Sequence, residues 1–136
     1  NVVAGQAAIA RCGLANARFE EGDAFQLGTI EPQASISIVS GLYELFPDNN
    51  LVEASLRGIA DTTEPGGFLL YTGQPWHPQL EMIARTLSSH RGGAPWVMRR
   101  RTQEEMDQLV MAAGFRKVEQ RIDPTGLFTV SRAVRI

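Results

Sequence analysis

One cysteine, Cys12, occurs among the 136 residues. A lone thiol excludes an internal disulfide and suits a reducing compartment, so a cytoplasmic setting is the expectation. No apolar run approaches the ~20 residues that a membrane-spanning helix needs, and no leader-like segment precedes the first helical stretch. Neither sign of charge dominates: 13 basic against 15 acidic residues leave a net charge of −2. That balance argues against a nucleic-acid partner and against a membrane surface. Internal repeats and low-complexity tracts are missing too. His77 and His90 each lack a partner at metal-ligand or triad spacing, so neither a metal site nor a nucleophilic triad is expected.

What is present is an ordinary globular composition, in a chain long enough for one domain with its own core. Val2, Val3, Ala7, Ile9 and Ala10 give a helical apolar pattern that fades near Gly13, and Cys12 on that helix reads as a small buried residue. Asn16 to Glu21 has the character of a short strand, stopped by Gly22-Asp23. Pro32 then breaks the chain before a strand over Ser35–Val39, expected in the interior of a sheet. Asp48-Asn49-Asn50 offers N-caps to a helix carrying Leu51, Val52, Ala54, Leu56 and Ile59. Gly66-Gly67 turns into Phe68–Tyr71, an almost continuous apolar run of the kind found in strands covered on both faces. A rigid loop from Gln74 to Pro78, a helix through Leu80, Ile83, Ala84 and Leu87, and a flexible excursion from Ser88 to Pro95 follow. Thr102 with Glu105 forms a capping-box pattern ahead of Met106, Leu109, Val110 and Ala113, and Gly114 closes that helix. Phe115–Ile122, a turn at Asp123–Gly126 and Leu127–Val134 make a terminal antiparallel hairpin. Strands alternating with helices imply an α/β layered sheet with an antiparallel edge at its C-terminal end.

In open α/β sheets ligands bind outside the carboxyl ends of the strands. The tips here are Gly22-Asp23-Ala24-Phe25, Ser40 to Glu44, and Thr72 to His77. Each carries a carboxylate, an aromatic or a polar side chain at a place where a purely structural chain needs none.

Four stretches, "FEEGDAF" (Phe19–Phe25), "SISIVSGLYELFPD" (Ser35–Asp48), "EPGGFLLYTGQPW" (Glu64–Trp76) and "AAGFRKVEQ" (Ala112–Gln120), resemble in order and spacing the C-terminal part of class I S-adenosylmethionine-dependent methyltransferases. "SGLYELFPDN", "YTGQPWHPQLEMIARTLSSH" and "WVMRRR" are similar to a bacterial group often joined to an α/β-hydrolase-type domain. The resemblance implies a Rossmann-like sheet and S-adenosylmethionine as cofactor. It implies that Asp23 accepts from the adenine amino group, Ala24 donates its backbone N–H to the ring, and Phe25 lies on the ring face. Ser40 and Gly41 would lie beneath the methionine part, and Tyr43 and Glu44 at the mouth, to orient the acceptor or take its proton. The family's glycine-rich loop and ribose-binding acid have no counterpart here, and the chain enters helical sequence at once. Residues 1–136 are therefore expected to be the C-terminal portion of one methyltransferase-like domain, without its N-terminal strands, inactive and weakly binding alone, and oligomeric through exposed sheet edges. The Asn/Asp-Pro-Pro-aromatic stretch of many amino-group methyltransferases is replaced by "SGLYELFP", which points to a small-molecule or lipid-like acceptor.

Each of these residues has a plainer reading. Asp23 is a good turn residue after Gly22. Tyr43 can cap a core with its hydroxyl in water, and Glu44 can be a solvated loop charge. Arg99, Arg100 and Arg101 suit either an anionic substrate group or a solvated segment with packed aliphatic stems. Trp76 and His77 are candidates to touch an acceptor. A Rossmann dehydrogenase fits less well, for want of a nicotinamide fingerprint, while a non-catalytic module with the same fold is the alternative from another class.

Overall fold

A computed structural model describes residues 1–28, 30–89 and 92–136. The elements are α1 (Val2–Arg11), β1 (Ala34–Val39), a 3₁₀ turn (Tyr43–Leu45), α2 (Asn49–Thr62), β2 (Thr63–Gly73), α3 (Leu80–Thr86), α4 (Gln103–Ala112), β3 (Phe115–Ile122) and β4 (Thr129–Arg135). The strands form one sheet in the order β1-β2-β4-β3. β1 runs parallel to β2, and β4 is antiparallel to both β2 and β3. The expected α/β sheet with an antiparallel C-terminal hairpin is thus observed.

Local chemistry explains the elements. Asp48 Oδ1 accepts from the Asn50 N–H at 2.9 Å and starts α2. The helix then buries Val52, Ser55, Leu56, Ile59 and Ala60, one stripe at helical spacing. Thr102 Oγ1 accepts from the Glu105 N–H, and α4 buries Met106, Leu109 and Val110. Gly114, at φ +91°, supplies the left-handed residue beyond its end. The capping box closes only halfway, because the Glu105 carboxylate accepts from Asn49 and Arg99 instead. Both helices cover the face of the sheet that carries Val39, Leu69, Tyr71 and Ala133.

The other face is open. Ile36 is 55% exposed and Ile38 68%. In register beside them stand the half-buried Phe68 and Leu70. Among the described residues the β2 run is therefore covered on one face, and β1 is an edge strand rather than an interior one.

Two further expectations are corrected. Asn16 to Glu21 forms no strand: Phe19 lies against Gly5 of α1, and its carbonyl accepts from Gln6, so the segment follows the helix instead of a sheet. Cys12 is exposed, because α1 buries none of its residues. The excursion from Ser88 to Pro95 is held at both ends, with Ser89 N–H donating to Ala94 and Trp96 N–H to Leu87. His90 falls outside the described residues. No described helix is long and apolar enough to cross a membrane.

Candidate functional site

Parallel pairing brings the carboxyl ends of β1 and β2 to one rim, and the Gly41 N–H donates to Thr72 Oγ1 at 2.9 Å to join the two tips. The amino end of α4 and the start of β4 reach the same rim: Gly73 pairs with Thr129, whose hydroxyl donates to Gln103 Oε1. Chain topology therefore collects Ser40–Glu44, Thr72–Gln74 and Arg99–Gln103 in one place.

Two cavities open there. The first, of about 340 Å³, is lined by Ala24, Leu27, Ile38, Ser40, Leu42 and Ser55, among others. Its lining is mainly apolar with a few polar atoms, and its size lies in the range of small-molecule sites. The Asp23–Gln26 turn forms one side. Asp23 Oδ1 accepts from the Phe25 N–H, Gln26 N–H returns to the Asp23 carbonyl, and the Phe25 ring meets Phe46 edge-on with centroids 4.5 Å apart. Asp23 itself is exposed, and nothing among the described residues accepts from the Ala24 N–H.

The second is a narrow cleft on the α4 side, lined by Tyr43, Glu44, Thr72, Gly73, Gln74, Arg101 and Gln103, among others. Tyr43, 3% exposed, has its hydroxyl 3.1 Å from Ser55 Oγ. Since Ser55 lines the first cavity and Tyr43 the second, this pair is part of the wall between them. Burial pushes the Tyr43 phenol up to about 12, against the lowering pull of Ser55. Glu44 is only 8% exposed. Burial raises its carboxyl above the ordinary value, with its own backbone N–H and Arg101 pulling the other way.

Arg101 is a clamp. Its Nη1 donates to the Tyr43 carbonyl at 2.6 Å, Nη2 to the Phe46 carbonyl at 2.7 Å, and Nε to Asn49 Oδ1 at 2.8 Å. Arg99 donates to the Pro47 carbonyl and to Glu105, while Arg100 faces solvent. Two of the three arginines are therefore engaged by the Tyr43–Asn49 loop and α4, in a way that neither sequence reading anticipates.

Of the residues singled out from sequence, Ala24 and Ser40 meet at the first cavity, with Asp23 and Phe25 on its bordering turn. Tyr43 and Glu44 border the second, and Gly41 ties the two strand tips together. Tyr43 does not hold its hydroxyl in water and Glu44 is not a solvated charge. Trp76 stays exposed, and His77 Nδ1 accepts from the Gln79 N–H. Gln74, on the third strand tip singled out from sequence, lines the cleft.

A protein family described as "Putative methyltransferase" matches residues 1–135. The chain belongs to this family. The chain is also similar to the uncharacterized protein YnbC of Escherichia coli K12, 60% identical over 99% of the chain. The chain spans 24% of that relative's length. A solved S-adenosylmethionine-dependent methyltransferase of Methanosarcina mazei superposes with a TM-score of 0.75 at 16% identity, over 99% of this chain and 77% of its own. An O-methyltransferase from neocarzinostatin biosynthesis, solved with S-adenosyl-L-homocysteine and 1,4-dihydroxy-2-naphthoic acid, gives 0.74 at 17% identity, over 99% of this chain and 39% of its own. At such identities the likeness establishes the fold, which is the Rossmann-like methyltransferase fold in this family member.

Proposed function

We propose that the protein takes part in methyl transfer from S-adenosylmethionine to a small-molecule acceptor, of polar or lipid-like character. The observation that carries this reading is the crevice lined by both Ala24 and Ser40 beside the exposed Asp23. Its chemistry fits a purine. A carboxylate accepts from an exocyclic amine, the unengaged Ala24 N–H can donate to a ring nitrogen, and Leu27, Ile38 and Leu42 offer apolar contact. Phe25 would border the ring, and Ser40 and Gly41 the methionine part. When bound, the cofactor supplies an electrophilic methyl group.

This chain's own contribution is alignment of the acceptor, and removal of a proton where the acceptor must lose one. We assign contact with the acceptor to Glu44 and positioning to Tyr43, whose protonated phenol is engaged by Ser55. The open face with Ile36 and Ile38 is proposed to be covered by further protein, a second copy when the 136-residue chain is alone, because a bare edge strand invites pairing. A fused hydrolase-type domain and a cytoplasmic location belong to the same reading.

Equilibrium dialysis of S-adenosylmethionine against the full-length protein tests it. Saturable binding that S-adenosylhomocysteine displaces supports methyl transfer. Absence of binding by the folded protein turns the reading to a non-catalytic module of the same fold.

A further inference from the structure

Gly58 sits in the interior of α2, three residues after Ser55 and one before Ile59, and both of these line the first cavity. Its φ is not positive, so its backbone conformation does not call for glycine. Glycine in the middle of a helix is less stable than alanine, and the reason for it here is space. A Cβ on Gly58 would stand 3.0 Å from Leu27 Cβ and 3.5 Å from Leu27 Cγ and Cδ1. Carbon atoms rest about 3.5–4.0 Å apart, so the first of these distances is too short. Leu27 Cβ is rooted on the backbone and cannot rotate away. Relief has to come from movement of the chain at Leu27.

That chain is the Asp23–Leu27 turn. Leu27 lines the cavity with Ala24 and packs against the buried core. The Asp23 carboxylate and carbonyl accept from the N–H groups of Phe25 and Gln26, which ties the turn together internally. It leans outward on the Phe46 ring through Phe25, and on the bare Gly58 backbone through Leu27. Phe46 belongs to the loop clamped by Arg101. Gly58 belongs to the helix face that Ser55 and Ile59 bring to the cavity. A side chain at 58 therefore pushes Ala24 and Leu27 away from Ser55 and Ile59.

We propose that Gly58 is a positioning residue of the crevice: by carrying no side chain it sets the spacing between the Asp23–Leu27 turn and α2, and with it the fit of the bound ligand. The seating of the turn stands on contact alone; that the ligand is S-adenosylmethionine rests on the methyl-transfer reading.

Gly58→Ala in the full-length protein tests this, since alanine favours the helix while its Cβ displaces the turn. Without cofactor, the backbone amide signals of Ala24, Phe25 and Gln26 in ¹⁵N–¹H TROSY spectra are expected to move, and that of Val110 in α4 to stay. A misplacement of about 1 Å costs on the order of a hundredfold, so a few tenths of that should weaken S-adenosylmethionine binding roughly fivefold. In a Leu27→Gly background the Cβ that meets the new side chain is gone. Gly58→Ala should then change neither the amide signals nor the affinity, relative to Leu27→Gly alone. Turn amides that do not move, unaltered affinity where the wild type binds, or an effect that persists in full in the Leu27→Gly background overturns the proposal. Moved turn amides in a protein that ignores S-adenosylmethionine would instead leave the seat standing and remove methyl transfer.

Discussion

Arg101 Nη1 donates to the carbonyl oxygen of Tyr43 at 2.6 Å, and this bond fastens the loop that carries Glu44 to the segment leading into α4. With Phe46 and Asn49 also bound, one buried guanidinium sets the shape of the cleft's outer wall. Arg101→Met strands these acceptors and should cost about 3 kcal/mol in urea unfolding, with Arg101→Lys recovering less than half, since an ammonium cannot span the fork. A loss under about 0.5 kcal/mol would mean that the loop holds its shape without the clamp.

The Tyr43–Ser55 pair predicts a dissociation between stability and binding. Tyr43→Phe keeps the ring in the core and removes one buried hydrogen bond, for a loss of about 1 kcal/mol. Cofactor affinity, measured in the full-length protein, should not change. A large fall in affinity at unchanged stability would move the phenol from positioning to direct contact.

Glu44 predicts a pH dependence. Its carboxyl is raised by burial, so the folded state holds its proton more tightly than the unfolded chain does. Below the unfolded value, about 4.5, both states are protonated and the group is neutral to stability. As pH rises through the folded value, ionisation favours the unfolded chain and stability is lost. Glu44→Gln escapes that loss. Its stability advantage over the wild type should grow from acid to neutral pH in a denaturation series; a gap that is flat or widens toward acid contradicts the burial argument.

The open sheet face predicts self-association. Ile36, Ile38, Phe68 and Leu70 lie side by side on β1 and β2, beside a β1 edge that is unpaired among the described residues. The 136-residue chain should sediment as a dimer or larger species, and Ile38→Lys should shift it toward monomer. A monomeric wild type at micromolar concentration would show that the bare face is tolerated.

Much of this architecture can be read from the residues. Asp48 and Thr102 mark helix starts, Gly114 marks an end, and the C-terminal hairpin follows from its turn, because each acts through its nearest neighbours. The stretches around Asp23, Ser40 and Glu44 carry the family resemblance for a related reason: strand tips combine short-range turn chemistry with unusual side chains. What stays hidden is long-range. Nothing local says that Arg101 will reach back to Tyr43. Asn16–Glu21 has strand-like residues, but a strand needs a neighbour, and Phe19 finds α1 instead. The apolar run Phe68–Tyr71 reads as doubly covered, whereas only one of its faces is packed by helices among the described residues.

Calorimetric titration of S-adenosylmethionine into the full-length protein, wild type and Asp23→Ala, tests most directly whether the strand tips form the purine-binding side of the crevice. Loss of a hydrogen bond to a charged acceptor should weaken binding by roughly tenfold or more, with folding intact by circular dichroism. Equal affinities in the two proteins, or no heat of binding in either, would contradict it.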